Sequence, residues 1–190
     1  MHTKDNPINS RTKKMMLWFG MISMAMTFAG LTSAYVVSST RADWLENFTL
    51  PKVFTYSTLI IFLSSFTFYM AKKALRQNQI NQFKMRLWAT LALSLIFVYL
   101  QFQGFNEIID SGYYFTGAES SITTSFLYVL ILLHLAHLTA GIIVLLIVLF
   151  QLNKGAYSPE KSLGMELAVL FWHFLDFLWL YLFCFVLFYS

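Results

Sequence analysis

The chain has 190 residues, of which 58% are apolar and 12% are charged, and its formal net charge at pH 7 is +4. This composition excludes an ordinary soluble domain, because a chain of this length cannot bury so much apolar surface in one core. The basic excess does not indicate a nucleic-acid partner, because the lysines and arginines are divided among segments that flank apolar stretches.

Five apolar segments follow one another along the chain, each close to the ~20 residues that a helix needs to cross a bilayer. A helix satisfies its own backbone hydrogen bonds in lipid, and these runs are too long for the ~10-residue strands of a membrane barrel. The sequence therefore predicts an all-α bundle of five transmembrane helices in one membrane domain, residues 1–190. The predicted spans are about 15–38, 53–72, 86–108, 125–151 and 164–189.

Basic residues are distributed unevenly over the connections between these spans. Eleven lie on one side of the predicted membrane: Lys4, Arg11, Lys13, Lys14, Lys72, Lys73, Arg76, Lys84, Arg86, Lys154 and Lys161. Only Arg41 and Lys52 lie on the other side, together with Asp43, Glu46, Asp110 and Glu119. Because cytoplasmic connections are enriched in lysine and arginine, we expect the N-terminus in the cytoplasm and the C-terminus outside.

The third span ends in QFQGFNE, residues 101–107, which places Gln101, Gln103 and Glu107 toward its outer end. Interfacial anchoring and hydrogen bonds between helices explain such residues as well as any specific role does. The single cysteine, Cys184, lies in an apolar run and cannot form a disulfide within the chain.

The fourth span contains HLAHLTAG, residues 134–141. His134 and His137 are three residues apart and therefore share one face of a helix. Gly141 lies one turn beyond His137 on the same face, where it offers another backbone room to approach.

The fifth span contains ELAVLFWHFLDFLW, residues 166–179, in which Glu166, His173 and Asp176 fall within about 80° of helical arc. Such a stripe is expected to face protein, because a charge exposed to lipid costs at least ~2.5–3.5 kcal/mol. Counted from the cytoplasmic ends, Asp176 and His137 lie about 18 and 22 Å deep. The sequence therefore predicts that Asp176 pairs with His137 or His134.

Several roles are open to these histidines and carboxylates. They could bind a metal if they converge, they could clamp haem b between two helices, or they could form a hydrogen-bonded network that fixes packing. A complete proton path is not indicated, because the first span offers only hydroxyls to continue it. The residues favour the packing network, and we predict no catalytic, cofactor-binding or metal-binding residue on this chain.

Two blocks carry a resemblance to a known family. WHFLDFLW at 172–179 resembles the Trp-His-Phe-x-Asp-x-x-Trp signature of subunit III of the haem-copper oxidases. HLAHLTAG at 134–141 resembles the His-x-x-His-x-x-x-Gly of the preceding helix, and QFQGF at 101–105 more loosely resembles the glutamine-rich segment before it. The similarity covers all five spans in order and is to the short, five-helix bacterial form.

The resemblance implies a non-catalytic subunit III of a bacterial cytochrome c oxidase in the cytoplasmic membrane, with a quinol oxidase as the alternative. It implies that the haems and copper lie in partner subunits, that this chain binds phospholipid, and that it helps subunit I to sustain proton uptake. Subunit I is the main expected partner. Subunit II, a small subunit IV and a quinol-oxidising complex in a larger assembly are the others.

Carried over by position, the resemblance implies architectural residues of two kinds. The polar network comprises His134, His137, Glu166, His173 and Asp176, and the packing positions are Gln101, Gly141, Trp172 and Trp179. One departure is clear: many family members carry Ser-Glu in the first shared helix, where this chain has Ser23-Met24. A role of that carboxylate in proton uptake therefore does not transfer.

A rival interpretation from another class is a small independent transporter or a haem-b membrane protein. A transporter is expected to show internal repeats or helices interrupted by glycine and proline. No repeat is visible, and Pro7, Pro51 and Pro159 all fall outside the predicted spans.

Overall fold

The computed structural model describes residues 7–41, 44, 50–115, 121–154 and 163–189. These residues form five helices: α1 Pro7–Ser38, α2 Lys52–Arg76, α3 Ile80–Asp110, α4 Ile122–Asn153 and α5 Leu163–Tyr189. Five of the charged residues used to orient the chain lie outside the described ranges: Lys4, Asp43, Glu46, Glu119 and Lys161.

All five helices are long and apolar enough to cross a membrane, which confirms the predicted all-α membrane bundle. Each predicted span lies within the corresponding helix. The placement of the N-terminus in the cytoplasm and of the C-terminus outside stays a prediction.

Local sequence explains where two of the helices begin and end. Asn78 adopts φ +56° between α2 and α3, a left-handed conformation that asparagine tolerates better than most side chains, and the chain reverses there in three residues. Ser121 caps α4: its hydroxyl accepts from the Thr124 backbone N–H, and the Thr124 hydroxyl accepts from the Ser121 N–H.

The helices α2 and α3 form the closest pair in the bundle, and a glycine permits the approach. A Cβ atom placed on Gly104 of α3 would lie only 2.6 Å from the Phe54 ring of α2. A larger residue at position 104 would therefore require the Phe54 ring or the helices themselves to shift.

The helix α5 occupies the centre of the arrangement and is the most buried of the five, whereas α1 is the least buried. It packs against α1, α2 and α4, while α4 also contacts α1 and α3. Within the described ranges no Cα atom of α1 comes within 8 Å of a Cα atom of α2. The two helices flank α5 without close backbone contact, and Phe177 of α5 is left 69% exposed in the opening between them.

The buried apolar side chains of the described residues form one large cluster and one smaller cluster. Trp172 and Trp179 of α5 are among the largest buried side chains of the main cluster. The smaller cluster joins α1, α4 and α5 through Phe28, Tyr35, Leu130, Leu178 and Leu182. Large apolar side chains also cover much of the outer surface, as expected for a surface that faces lipid.

Candidate functional site: polar contacts inside the bundle

Two of the predicted packing residues hold α2 in place through hydrogen bonds. Trp179 Nε1 donates to Thr58 Oγ1 over 3.0 Å, and Gln101 Nε2 donates to Ser57 Oγ over 2.9 Å. Both hydroxyls in turn donate to the carbonyl oxygen of Phe54. Since Gln101 and Trp179 are almost completely buried, these bonds form in the interior and tie α2 to α3 and α5. Gln101 therefore contacts another helix and is not an interfacial anchor.

His134 lies in the aromatic interior, between α3 and α5. Its ring centroid is 5.1 Å from that of Trp179 and 6.4 Å from that of Phe97. The side chain is completely buried, and neither ring nitrogen has a hydrogen-bond partner among the described residues. His134 therefore contributes ring packing and not a polar link between the helices.

His137 faces a different neighbour. Its Nδ1 donates to the carbonyl oxygen of Leu133 in its own helix over 2.7 Å, and its ring lies 5.7 Å from that of Phe28 on α1. The side chain is partly buried. The two histidines of HLAHLTAG thus point to separate places, one toward α3 and α5 and one toward α1.

Asp176 is buried, with 5% of its surface exposed, and lies close to His173 of its own helix. The distance from His173 Nδ1 to Asp176 Oδ2 is 3.8 Å, and the same Nδ1 lies 2.6 Å from Ser65 Oγ of α2. Neither oxygen of Asp176 has a hydrogen-bond partner among the described residues. Ser65, His173 and Asp176 therefore form a group of their own at the boundary of α2 and α5.

The predicted pairing of Asp176 with His137 or His134 is therefore wrong. Depth along two antiparallel helices places residues at the same level, but it does not fix the direction of each side chain around its helix. His137 is engaged by its own backbone, and His134 is turned into the aromatic interior.

Glu166 lies at the beginning of α5 and joins three helices through ion pairs. Its Oε2 is 3.0 Å from Lys14 Nζ of α1, and its Oε1 is 3.1 Å from Arg76 Nη2 of α2. Both cations are largely exposed, and Glu166 is partly exposed. Glu166 thus connects α1 and α2, whose backbones do not meet.

Gly141 and Trp172 occupy the contact between α4 and α5. A Cβ atom placed on Gly141 would lie 2.8 Å from Leu175 Cδ1 and 3.5 Å from the Trp172 ring. Trp172 itself packs edge-on against Phe68 of α2, with ring centroids 5.5 Å apart. The glycine thus permits the close approach that its position in the fourth span predicted.

The first-helix position at which the resemblance led us to look for a glutamate is occupied by an apolar side chain. Met24 is partly buried and packs against the main apolar cluster. It makes a core contact at that position.

Sequence reasoning missed the hydroxyl residues of α2, three of which contact α3 or α5: Ser57, Thr58 and Ser65. Together with Ser64 they recur after seven residues, which places them on one face of the helix. Three of the four are buried, and Ser65 is partly buried. A repeat of hydroxyls in an apolar span was the signal available, because hydroxyls in lipid seek partners on neighbouring helices.

The geometry of these polar side chains supports a role in helix packing more than a catalytic or metal-binding role. Within the described ranges no group of three or more His, Cys, Asp or Glu side chains is arranged to hold a metal ion. The polar residues of α4 and α5 are distributed over separate contacts, each of which fixes one helix against another.

Comparisons with known proteins agree with this architecture. A family model described as cytochrome c oxidase subunit III matches residues 12–190. The chain is 28% identical over 167 residues to cytochrome c oxidase subunit 3 of Thermostichus vulcanus, covering 86% of this chain and 80% of the relative. It is 28% identical over 183 residues to cytochrome bo(3) ubiquinol oxidase subunit 3 of Buchnera aphidicola, covering 93% and 87%. To cytochrome c oxidase subunit 3 of Bacillus sp. strain PS3 it is 26% identical over 182 residues, covering 93% and 85%.

Proposed function

Because the chain belongs to the cytochrome c oxidase subunit III family, we propose that it is the non-catalytic subunit III of a bacterial cytochrome c oxidase. The chain is subunit III of a haem-copper terminal oxidase, and it is a multi-pass protein of a bacterial membrane. Its proposed role is to stabilise subunit I and to sustain the proton uptake of that subunit during oxygen reduction.

One observation carries the non-catalytic role: the signature residues are used in contacts between helices. Gln101 and Trp179 donate to hydroxyls of α2, and Gly141 makes room for Leu175. Buried polar contacts of this kind specify how helices pack in lipid, and they leave these residues engaged within the chain. This use of the signature supports an architectural subunit whose haem and copper chemistry takes place in its partners.

The proposed partners are subunit I first, then subunit II and a small subunit IV, with a quinol-oxidising complex in a larger assembly. Phospholipid is proposed as well, because Lys14 and Arg76 place positive charge at one end of an apolar surface, where anionic headgroups are attracted.

Two candidate oxidases differ in their electron donor. Cytochrome c is the first, and relatives named cytochrome c oxidase subunit 3 support it. A quinol is the second, because a relative named ubiquinol oxidase subunit 3 matches 93% of this chain.

Purification through a tag on this chain in mild detergent tests the assignment, with an optical spectrum and mass spectrometry of the eluate. We expect large partner chains with haem bands, together with oxygen consumption that reduced cytochrome c supports better than ubiquinol does. A preference for ubiquinol would favour the second candidate. A chain that purifies alone, or haem that stays with the isolated chain, would overturn the assignment.

The proposed role in sustaining the proton uptake of subunit I is tested separately. An oxidase prepared without this chain is expected to begin at a similar rate but to lose activity after fewer turnovers than the complete enzyme. Equal lifetimes, measured as oxygen consumed before half of the activity is lost, would contradict this role.

A further inference from the structure

The helix α5 exposes one narrow stripe along the opening between α1 and α2. The stripe runs over successive turns and consists of His173, Phe177, Tyr181, Cys184 and Phe188. Phe177 and Phe188 are 69% and 83% exposed, although α5 is otherwise the most buried helix of the bundle. The opening is therefore a groove with α5 as its floor.

Each wall of this groove is fixed to its floor. On one side, Thr32 Oγ1 of α1 lies 2.8 Å from Tyr181 Oη. On the other side, Ser65 Oγ of α2 lies 2.6 Å from His173 Nδ1. The ion pairs of Glu166 with Lys14 and Arg76 close one end of the groove. These contacts fix α1 and α2 on the two sides of α5, so the groove is a built feature of the chain.

His173 is the polar element of the groove. Its side chain is 37% exposed, and its contacts within the described residues use only Nδ1, which leaves Nε2 without a partner. His173 lies ten residues from the beginning of α5, about 15 Å along the helix and thus near the middle of the hydrocarbon layer. Acyl chains offer no group that could donate to Nε2 or accept from it.

We propose that a membrane-spanning helix from another chain of the oxidase covers the groove and presents a hydroxyl, amide or carboxylate side chain to Nε2 of His173. The proposal rests on the assignment of the chain as subunit III. It follows from an imidazole at mid-membrane depth that is 37% exposed between the two walls and whose Nε2 has no partner among the described residues. The exposed rings of Phe177 and Phe188 supply the apolar surface on which such a helix packs.

Photocrosslinking in the complete oxidase tests which molecule occupies the groove. A photoreactive benzoylphenylalanine in place of Phe177 is close in shape to the native ring and lies one turn from His173. We expect adducts with a transmembrane peptide of another oxidase chain, identified by mass spectrometry. Adducts with phospholipid alone, or with a second copy of this chain, would overturn the proposal. Copurification of haem-bearing chains reports separately on the assignment as subunit III, so the two failures are distinguishable.

The role of Nε2 is tested by retention of this chain in the detergent-purified oxidase. His173→Phe removes both ring nitrogens, and with them the contacts of Nδ1 with Ser65 and Asp176. The control variants Ser65→Ala and Asp176→Asn each change one of these two neighbours of Nδ1 and leave Nε2 in place. We expect His173→Phe to lower retention about fivefold, the effect of one hydrogen bond, and each control to have little effect. His173→Gln keeps a donor and an acceptor, and we expect it to retain more of the chain than His173→Phe does. Equal losses in His173→Phe and Ser65→Ala, or no loss in either, would assign His173 to internal packing alone.

Discussion

The indole nitrogen of Trp179 on α5 donates a hydrogen bond to the hydroxyl of Thr58 on α2 over 3.0 Å, inside the protein. The same hydroxyl donates to the carbonyl oxygen of Phe54 over 2.7 Å. The bond thus joins the last residue of the tryptophan-histidine-aspartate signature to a helix more than 100 positions earlier in the chain. Neither water nor lipid can replace it, because both side chains are buried.

We expect Trp179→Phe and Thr58→Val each to lower the free energy of unfolding by about 1 kcal/mol or more, since each leaves a buried group without its partner. The bond itself is measured by a double-mutant cycle in SDS-containing micelles, and we expect a coupling energy of about 0.6 kcal/mol, as for other hydrogen bonds between membrane helices. Strictly additive effects of the two substitutions would mean that the bond contributes nothing to stability.

The second prediction compares two glycines of the bundle, one in a crowded helix contact and one in open space. A Cβ atom on Gly141 would lie 2.8 Å from Leu175 Cδ1, whereas a Cβ atom on Gly30 would meet nothing within 4 Å. We expect Gly141→Ala to cost about 1–3 kcal/mol, because α4 and α5 must move or Leu175 must leave its rotamer. The control Gly30→Ala is expected to be neutral or slightly stabilising, since alanine favours helix.

The Gly141 experiment has an internal check. In the background Leu175→Ala the crowded methyl group is gone, so Gly141→Ala should cost less there than in the native chain. An equal cost in both backgrounds would show that Leu175 is not what the new methyl group meets.

The sequence predicted the five helices because the hydrophobicity that indicates a membrane span is summed over ~20 residues, so no single position decides the prediction. It also singled out Gly141, because a glycine one turn from a polar residue in a span indicates a close approach of helices. Trp172 and Trp179 came from the resemblance alone, because aromatic side chains are common in membrane helices. The residues of the third span left Gln101 open between interfacial anchoring and a bond to another helix, and the resemblance added it as a packing position.

The directions of the histidines could not be predicted. A helix places His134 and His137 about 60° apart, and that angle is enough to send one ring toward Trp179 and the other toward Phe28. Which helix each ring meets depends on how α1, α3 and α5 surround α4. That arrangement is a property of the whole bundle and has no local signature.

A third prediction distinguishes the pair predicted from the sequence, His137 with Asp176, from the pair found in the structure, His173 with Asp176. A cycle of His173→Ala with Asp176→Asn is expected to show coupling of about 0.5 kcal/mol or more, because the two groups lie 3.8 Å apart and Asp176 is buried. A cycle of His137→Ala with Asp176→Asn is expected to be additive, because Nδ1 of His137 is bound to Leu133. Both cycles use the free energy of unfolding in mixed micelles. Coupling in the second cycle and none in the first would restore the predicted pair.

The ion pairs of Glu166 give the last prediction. Glu166 is partly exposed and its partners Lys14 and Arg76 are largely exposed, so solvent and salt screen the attraction and each pair contributes about 0.2–1 kcal/mol. We expect Glu166→Gln to lower the free energy of unfolding by about 0.5–1.5 kcal/mol at low salt, and by less at high salt, where screening has already weakened the pairs.

The control Glu107→Gln removes an exposed carboxylate that forms no ion pair with the described residues, and it should change little at either salt concentration. Because Glu166 connects α1 to α2, whose backbones stay apart within the described ranges, its loss should also make the segment around Lys14 more accessible to protease. A salt-independent loss of stability in Glu166→Gln would instead assign the residue to side-chain packing at the start of α5.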